Sequence, residues 1–393
     1  VYTAGAAGTI TGLGNEAVTL SDTLINAAAL KTIDTSTTGI IDASSITTLT
    51  GTDSDKALVR SSSGITGLPG IQPPNSITLT LTAQTISASE LLSLDAQHSG
   101  IVDASSVNTI NGTAADLITA YTANLAGTIT GLGNEVVIFT DNSPPHSSLN
   151  IINAFTTGAV DVSAANTFVG SAADLVTAYE ANAAGTIVGL GNEPITVNDF
   201  STVAQFNVLA ANTTGVITAT ISDGDMATLN NITESGNALA ITVRDTTVSA
   251  AELITLSSKT TKDVTVNSST ITGTAAQVIT AYTATDSIKG LGNEAVTLSD
   301  TSIDATVLIT LDTLTSGRIN ASSVNTITGT AADINTVYAA GAAGTITGLG
   351  YEAVTLSDTS IDTAVLITLD AFTSGRINAS SITNLTGSNP IAV

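Results

Sequence analysis

The chain has 393 residues, 42% of them hydrophobic, and a formal net charge of −24 built from 33 acidic and only nine basic residues. Nucleic acids and anionic membrane surfaces demand clustered lysine and arginine, so this balance excludes both as partners. The absence of cysteine excludes disulfides and thiolate metal sites, and the 3% aromatic content leaves few platforms for stacking a base or a sugar. No apolar run is long enough to suggest a membrane-spanning helix, so no membrane insertion is expected.

Taken in order, the chain opens on VYTAGAAG, which lacks the basic start and apolar run of a signal peptide. The same text returns as VYAAGAAG at 337–344, so the chain is expected to open inside a repeat, as a piece of a longer protein or at a processed end. Gly8 and Gly39 open the first two coils. Residues 56–75 lose the register and hold three of the seven prolines, which predicts a loop bulging from the array. Further coils open at Gly100, Gly127, Gly158, Gly185 and Gly215, with an irregular turn expected over 142–148 (NSPPHSS). Residues 215–263 keep a strand–helix–strand rhythm but lose the recurrent GLGNE, and 270–387 is the most regular part. There the period is plain: Gly292 maps to Gly350, Asp300 to Asp358 and Arg318 to Arg376, an offset of 58 residues. A fixed period of this size signals an array whose units cannot fold alone and are stabilised by their neighbours.

Each 58-residue double repeat divides at Gly317, Gly344 and Gly375 into coils of 27 and 31 residues with one grammar. GTIT or GRIN alternates as a half-buried strand, a small-residue corner follows, then AVTL or TITG as a second strand, then a short helix. Val296, Leu298 and Ile346 should point inward and the threonines outward. The helices are signalled by Thr113-Ala-Ala-Asp116, Ser171-Ala-Ala-Asp174, Thr330-Ala-Ala-Asp333, Ser249-Ala-Ala-Glu252 and Ser87-Ala-Ser-Glu90, all fitting a reciprocal capping box. Apolar residues then recur at helical spacing, as Ile334, Val337 and Tyr338, or Ile303, Val307, Leu308 and Leu311. The predicted fold class is a β-solenoid (an α/β solenoid) with parallel β-helix-like coils, two short strands and one short helix per coil, over residues 1–393 as a single elongated body. About fourteen coils, stacked ~4.8 Å apart into two continuous sheets with the helices as a third wall, would give a rod on the order of 65 Å.

Candidate sites are few. Asp22, Asp141, Asp199, Asp300 and Asp358 share one repeat position between strand and helix. They could form a calcium ladder, or serve the turn and cap chemistry that aspartate favours; hard cations want six to eight oxygens, which one acid per double coil does not supply. Asp223-Gly224-Asp225, followed by Glu234, is the densest acid cluster, so Asp223 and Asp225 are the metal candidates, with calcium the only cofactor considered. GLGNE has the first two glycines of a dinucleotide fingerprint without the third, and its recurrence fits a corner. Tyr2, Tyr121, Tyr179, Tyr282 and Tyr338 occupy one helix position and could stack sugars or fill the core. His98 and His146 stand apart in sequence and near turns, which predicts surface positions. The nine basic residues are scattered, no nucleophile–base pair can be named, and no catalytic residue is expected. Ranks of outward threonine could bind ice or glycans, or could be there because threonine is a good polar strand former.

The blocks GLGNEAVTLSDTSID, SGRINASSVNTITGTAAD and AAGTITGLG resemble tandem repeats in very large secreted and cell-surface proteins of bacteria, cyanobacteria especially, several of them adhesin-like and of the type exported by one-step secretion systems. The resemblance implies an extracellular structural or adhesive role and carries no catalytic residues over. The calcium-binding glycine-rich nonapeptide of such proteins does not occur here. The two ends of the chain are complementary in phase, so copies are expected to stack head to tail into a filament, or to belong to a longer fibre. A polysaccharide-degrading β-helix enzyme is the remaining alternative; it would show clustered acids in a grooved sheet.

Overall fold

A computed structural model describes residues 1–68, 78–98 and 100–387. The chain forms two compact units, Val1–Asn198 with Ala211–Gly215, and Asp199–Ala210 with Val216–Val393. Both are solenoid-like repeats of short strands and short helices whose strands pair in parallel.

In the second unit one ladder takes in Thr247–Ser249, Thr270–Gly273, Ala295–Leu298, Ile319–Asn320 and Ile346–Thr347 in succession. A second takes in Ser302–Asp304, Thr326–Gly329, Ala353–Leu356 and Ile377–Asn378. Register stacks apolar on apolar: Ile303, Ile327, Val354 and Ile377 form one rank. Val296, Leu298 and Ile346 are buried, as alternation predicts. In the first unit Thr85–Ser87, Thr109–Gly112, Val136–Phe139, Val160–Asp161 and Ile187–Val188 repeat the arrangement.

These ladders differ from the expected pair of continuous sheets. The longer coil carries a third strand, Ser302–Asp304 or Ser360–Asp362, directly ahead of its helix. Ile303 therefore belongs to a strand, and the helix begins at Ala305. The four- and five-stranded ladders start at such a strand, the six-stranded one starts at Phe168–Gly170 in a shorter coil, and all end at a two-residue strand that follows a helix. The cause is a mismatch of steps. Paired core residues are 24, 27 and 23 apart (303 to 327, 327 to 354, 354 to 377), whereas helix starts are 26 and 32 apart (305 to 331, 331 to 363). Strand pairing thus drifts against the helix rank, and a new ladder opens with each double repeat.

Helix starts follow the local signals. Ser87, Thr113, Ser171 and Thr330 each accept from the third helical N–H. Their acids do not complete the reciprocal box: Asp116, Asp174 and Asp333 accept from the cap hydroxyl instead. Ser249 makes no side-chain cap, and the reciprocal box occurs at Thr274 with Gln277 and at Thr202 with Gln205.

Two expected irregularities are smaller than the sequence suggests. Asp53–Ser61 is a helix with Lys56 fully buried, and Ile65–Thr66 is a paired strand, so the expected bulge at 56–75 does not begin at Lys56; residues 69–77 lie outside the described part. Its Nζ donates to the Thr80 carbonyl, which gives the buried ammonium a partner. In 142–148 only the first four residues are irregular, because a helix runs over His146–Phe155 with Pro145 at its cap position. Proline lacks an N–H, which costs nothing where helical N–H groups are free anyway.

Candidate functional site

The most elaborate side-chain arrangement joins the recurrent tyrosines to the recurrent GLGNE corners. The helix Ala114–Ala126 directs Tyr121 inward, and Gly127 ends it in the left-handed region. After the strand Ile129–Thr130 the chain turns through Gly131 (φ 88°) and Gly133 (φ 138°), values that other residues rarely adopt. The turn brings Glu135 under the helix, where it is 1% exposed. The Tyr121 hydroxyl donates to Glu135 Oε1, while Oε2 accepts from the N–H groups of Gly133 at 2.8 Å and Asn134 at 3.1 Å. A carboxylate in the interior needs such donors, because an unpaired one costs several kcal/mol, about 3–5 when its partner is removed.

The same clamp holds Tyr179 to Glu193, Tyr282 to Glu294 at 3.0 Å and Tyr338 to Glu352 at 3.1 Å. In the first copy Gly14 N–H donates to Glu16 at 2.6 Å, and bonds from Tyr2 and Gly14 hold the Glu16 carboxyl down at about 2. Burial, with the neighbouring Glu135 and Glu193, pushes the Tyr121 and Tyr179 hydroxyls well above the usual phenol range. Burial pushes Tyr338 up to about 12. Phe155 stacks on Tyr121 at 5.4 Å and Phe372 on Tyr338 at 5.5 Å. Tyr121, Tyr179, Tyr282 and Tyr338 are thus core groups with polar partners, and Tyr2 is half-buried. A sequence signal existed: glutamate follows tyrosine by 14 residues in four copies (2 to 16, 121 to 135, 179 to 193, 338 to 352) and by 12 in the fifth (282 to 294).

A threonine from the next coil closes each clamp. Thr156 Oγ1 donates to the Glu135 carbonyl at 2.8 Å and accepts from Gly158 N–H at 3.0 Å. Gly158 passes so close that a Cβ there would lie 2.2 Å from that carbonyl oxygen; Gly39, Gly317 and Gly375 meet the equivalent glutamates at 2.0–2.1 Å. The coil-opening glycines answer this close approach.

Three of the recurrent aspartates cap helices, but those of the preceding coil; Asp22 and Asp199 are exposed. Asp141 accepts from Ala114 N–H at 2.7 Å, Asp300 from Ala275 N–H at 2.8 Å and Asp358 from Ala331 N–H at 2.8 Å. Asp223 does the same for Val203 N–H at 2.7 Å. Its metal-candidate neighbour Asp225 instead caps its own helix Met226–Leu229 through Thr228 N–H at 2.9 Å. The two carboxylates serve different helices, Glu234 is exposed, and no group of three or more acidic, histidine or cysteine side chains fit to hold a metal occurs among the described residues. An acid-rich turn looks the same in sequence whether its oxygens converge or point to separate N–H groups.

Both histidines are buried, against the expected surface positions: His98 is 4% and His146 1% exposed. His146 packs edge-on against Phe168 with ring centroids 4.6 Å apart. Burial pushes it down to about 4, despite the attraction of Asp174 and Glu193. A ring at the head of an inward-facing helix is covered by the next coil, which its neighbours in sequence do not reveal. Threonine ranks are short: Thr272 and Thr297 are followed by Asn320, and Thr328 and Thr355 by Asn378. No helix among the described residues is long and apolar enough to cross a membrane.

No protein-family model matches the chain, and no curated protein matches it significantly. Among solved structures, a chain from the crystal structure of the Rad7 and Elc1 complex in yeast aligns over 93% of this chain and 82% of that one, at 10% identity and a TM-score of 0.17. A score that low carries no argument about fold or role.

Proposed function

We propose that the chain is a structural repeat segment of an extracellular or cell-surface fibre, a β-solenoid whose coils are built to be covered by further coils of the same type. The observation that carries this reading is the rank Ile303, Ile327 and Val354, in which successive coils pair in parallel register and bury one core residue against the next. A further coil of the same type repeats that contact, and a head-to-tail contact of this kind does not close. Leu385 and Ile10 hold the repeat positions of Ile327 and Ile346. The extracellular setting rests on the repeat resemblance. No catalytic role is assigned, because the buried acids are bonded to tyrosines and backbone amides.

Light scattering and electron microscopy of the purified chain across a concentration series test the reading. Stacking should lengthen particles with concentration, and Leu385→Asp with Ile10→Asp should hold them at unit length. A parent chain that stays a short monomer at high concentration rejects self-stacking.

A further inference from the structure

One repeat position differs between copies in a way that exposes a crevice. In two copies an asparagine sits three residues after the clamp tyrosine, and its side-chain oxygen accepts from the N–H of the corner leucine: Asn124 from Leu132 at 3.2 Å, Asn182 from Leu190 at 3.3 Å. In the last complete copy that asparagine is Gly341. Its place is an open crevice of about 390 Å³, walled by Tyr338, Ile346, Leu349, Gly350 and Phe372. No protein group bonds the Leu349 N–H among the described residues.

Two further features belong to this copy. The corner residue that is Asn134, Asn192 or Asn293 elsewhere is Tyr351 here, directly after the crevice residue Gly350 and 83% exposed. Phe372, stacked on the clamp tyrosine, is 39% exposed at the crevice wall. The first copy acts as an internal control. Gly5 opens a similar crevice of about 570 Å³ there, lined by the clamp residue Tyr2, but Asn15 and Ser36 stand where Tyr351 and Phe372 stand, so it lacks those two rings.

We propose that the Gly341 crevice binds a neutral sugar bearing an acetamido group, an N-acetylhexosamine. The chain itself shows what fits beside the leucine N–H: in the Asn124 and Asn182 copies a carboxamide oxygen accepts from it. An acetamido carbonyl offers the same acceptor, its methyl suits the apolar wall, and the exposed rings of Tyr351 and Phe372 give a sugar face an amphipathic partner. The ligand is neutral because the chain carries a net charge of −24 and the crevice walls hold no ionised group. The inference goes beyond the proposed structural role and does not depend on coil stacking.

Calorimetric titration of the purified chain with N,N′,N″-triacetylchitotriose tests it, with cellotriose as the neutral sugar lacking acetamido groups. The acetylated trimer should bind more tightly than about 1 mM and cellotriose at least ten-fold more weakly. Gly341→Asn, which installs the residue of the Asn124 and Asn182 copies on an ordinary helical backbone, should abolish binding. Tyr351→Asn should weaken binding several-fold, and both variants should keep the parent melting temperature. Asn124→Gly combined with Asn134→Tyr should add a second site. Absence of binding by the parent, equal binding of cellotriose, or undiminished binding by Gly341→Asn overturns the proposal. Loss of stacking with binding intact rejects only the fibre reading.

Discussion

The corner at Glu135 and the corner at Asn237 do the same job with different parts. At Glu135 the carboxylate is held by Tyr121 and two amides, and Thr156 bridges from the next coil to Gly158. The divergent coil has neither the tyrosine nor the glutamate. Asn237 stands at the corner, its side-chain oxygen accepting from Ile217 N–H at 2.8 Å. Thr260 Oγ1 donates to the Leu239 carbonyl at 2.7 Å and accepts from Lys262 N–H at 3.0 Å. The threonine bridge is thus common to both, and the tyrosine–glutamate clamp is an addition. The difference shows what glycine is for. Lys262 occupies the position of Gly158, so the glycine answers the glutamate corner and not the bridge.

The largest effect should come from exchanging those two residues. Gly158→Ala forces a Cβ to within 2.2 Å of the Glu135 carbonyl, so the first unit should lose about 3 kcal/mol or more. Lys262→Gly should cost less than about 1 kcal/mol, a backbone-entropy effect. Urea titrations of both variants measure this, and equal losses would break the comparison.

Acid should separate the regions next. The native His146 value, about 4, lies below the unfolded value near 6.5, so the unfolded chain binds the proton first. The stability of the first unit should be full above about pH 6.5 and fall by about 3 kcal/mol as pH drops through 4. His146→Leu should flatten that dependence, and the 217–266 coil, which contains no histidine, should show none of it in hydrogen exchange.

Tyr121→Phe leaves Glu135 with its two backbone donors and no phenol. A loss of about 2 kcal/mol is expected, confined to the coils around it, with amides near Asn237 unchanged. Native-state hydrogen exchange resolved along the chain reads the outcome, and uniform loss of protection would contradict stability held in neighbour contacts. The smallest effect should be common to both kinds of coil. Asp300→Ala removes a cap from a regular coil, and Asp245→Ala removes the equivalent bond, 2.6 Å to Met226 N–H, from the divergent one. Each should cost about 1 kcal/mol by denaturant unfolding.

How much of this was legible divides by distance along the chain. The inward Val296 and Ile346, the helices after Thr113 and Thr330, and the corner role of GLGNE all depend on residues within a turn or a strand of one another. The acid cluster misled because Asp223 and Asp225 are two residues apart yet bond N–H groups on different helices. The histidines misled because a turn nearby says nothing about the coil that covers it. The crevice at Gly341 was overlooked because a helical glycine carries no signal until Asn124 is seen bonded to Leu132.

By itself, the sequence determined the period, the alternation that faces apolar residues inward, and the hydroxyl caps, since each follows from backbone geometry and side chains three or four positions apart. The tertiary structure alone decided which coil each aspartate caps, which glutamate each tyrosine holds, and where each ladder begins and ends. Those contacts span 12 to 27 residues. Their partners are set by how one coil seats on the next, and the strand step and the helix step along the chain differ, so a period counted in residues does not say which groups will meet.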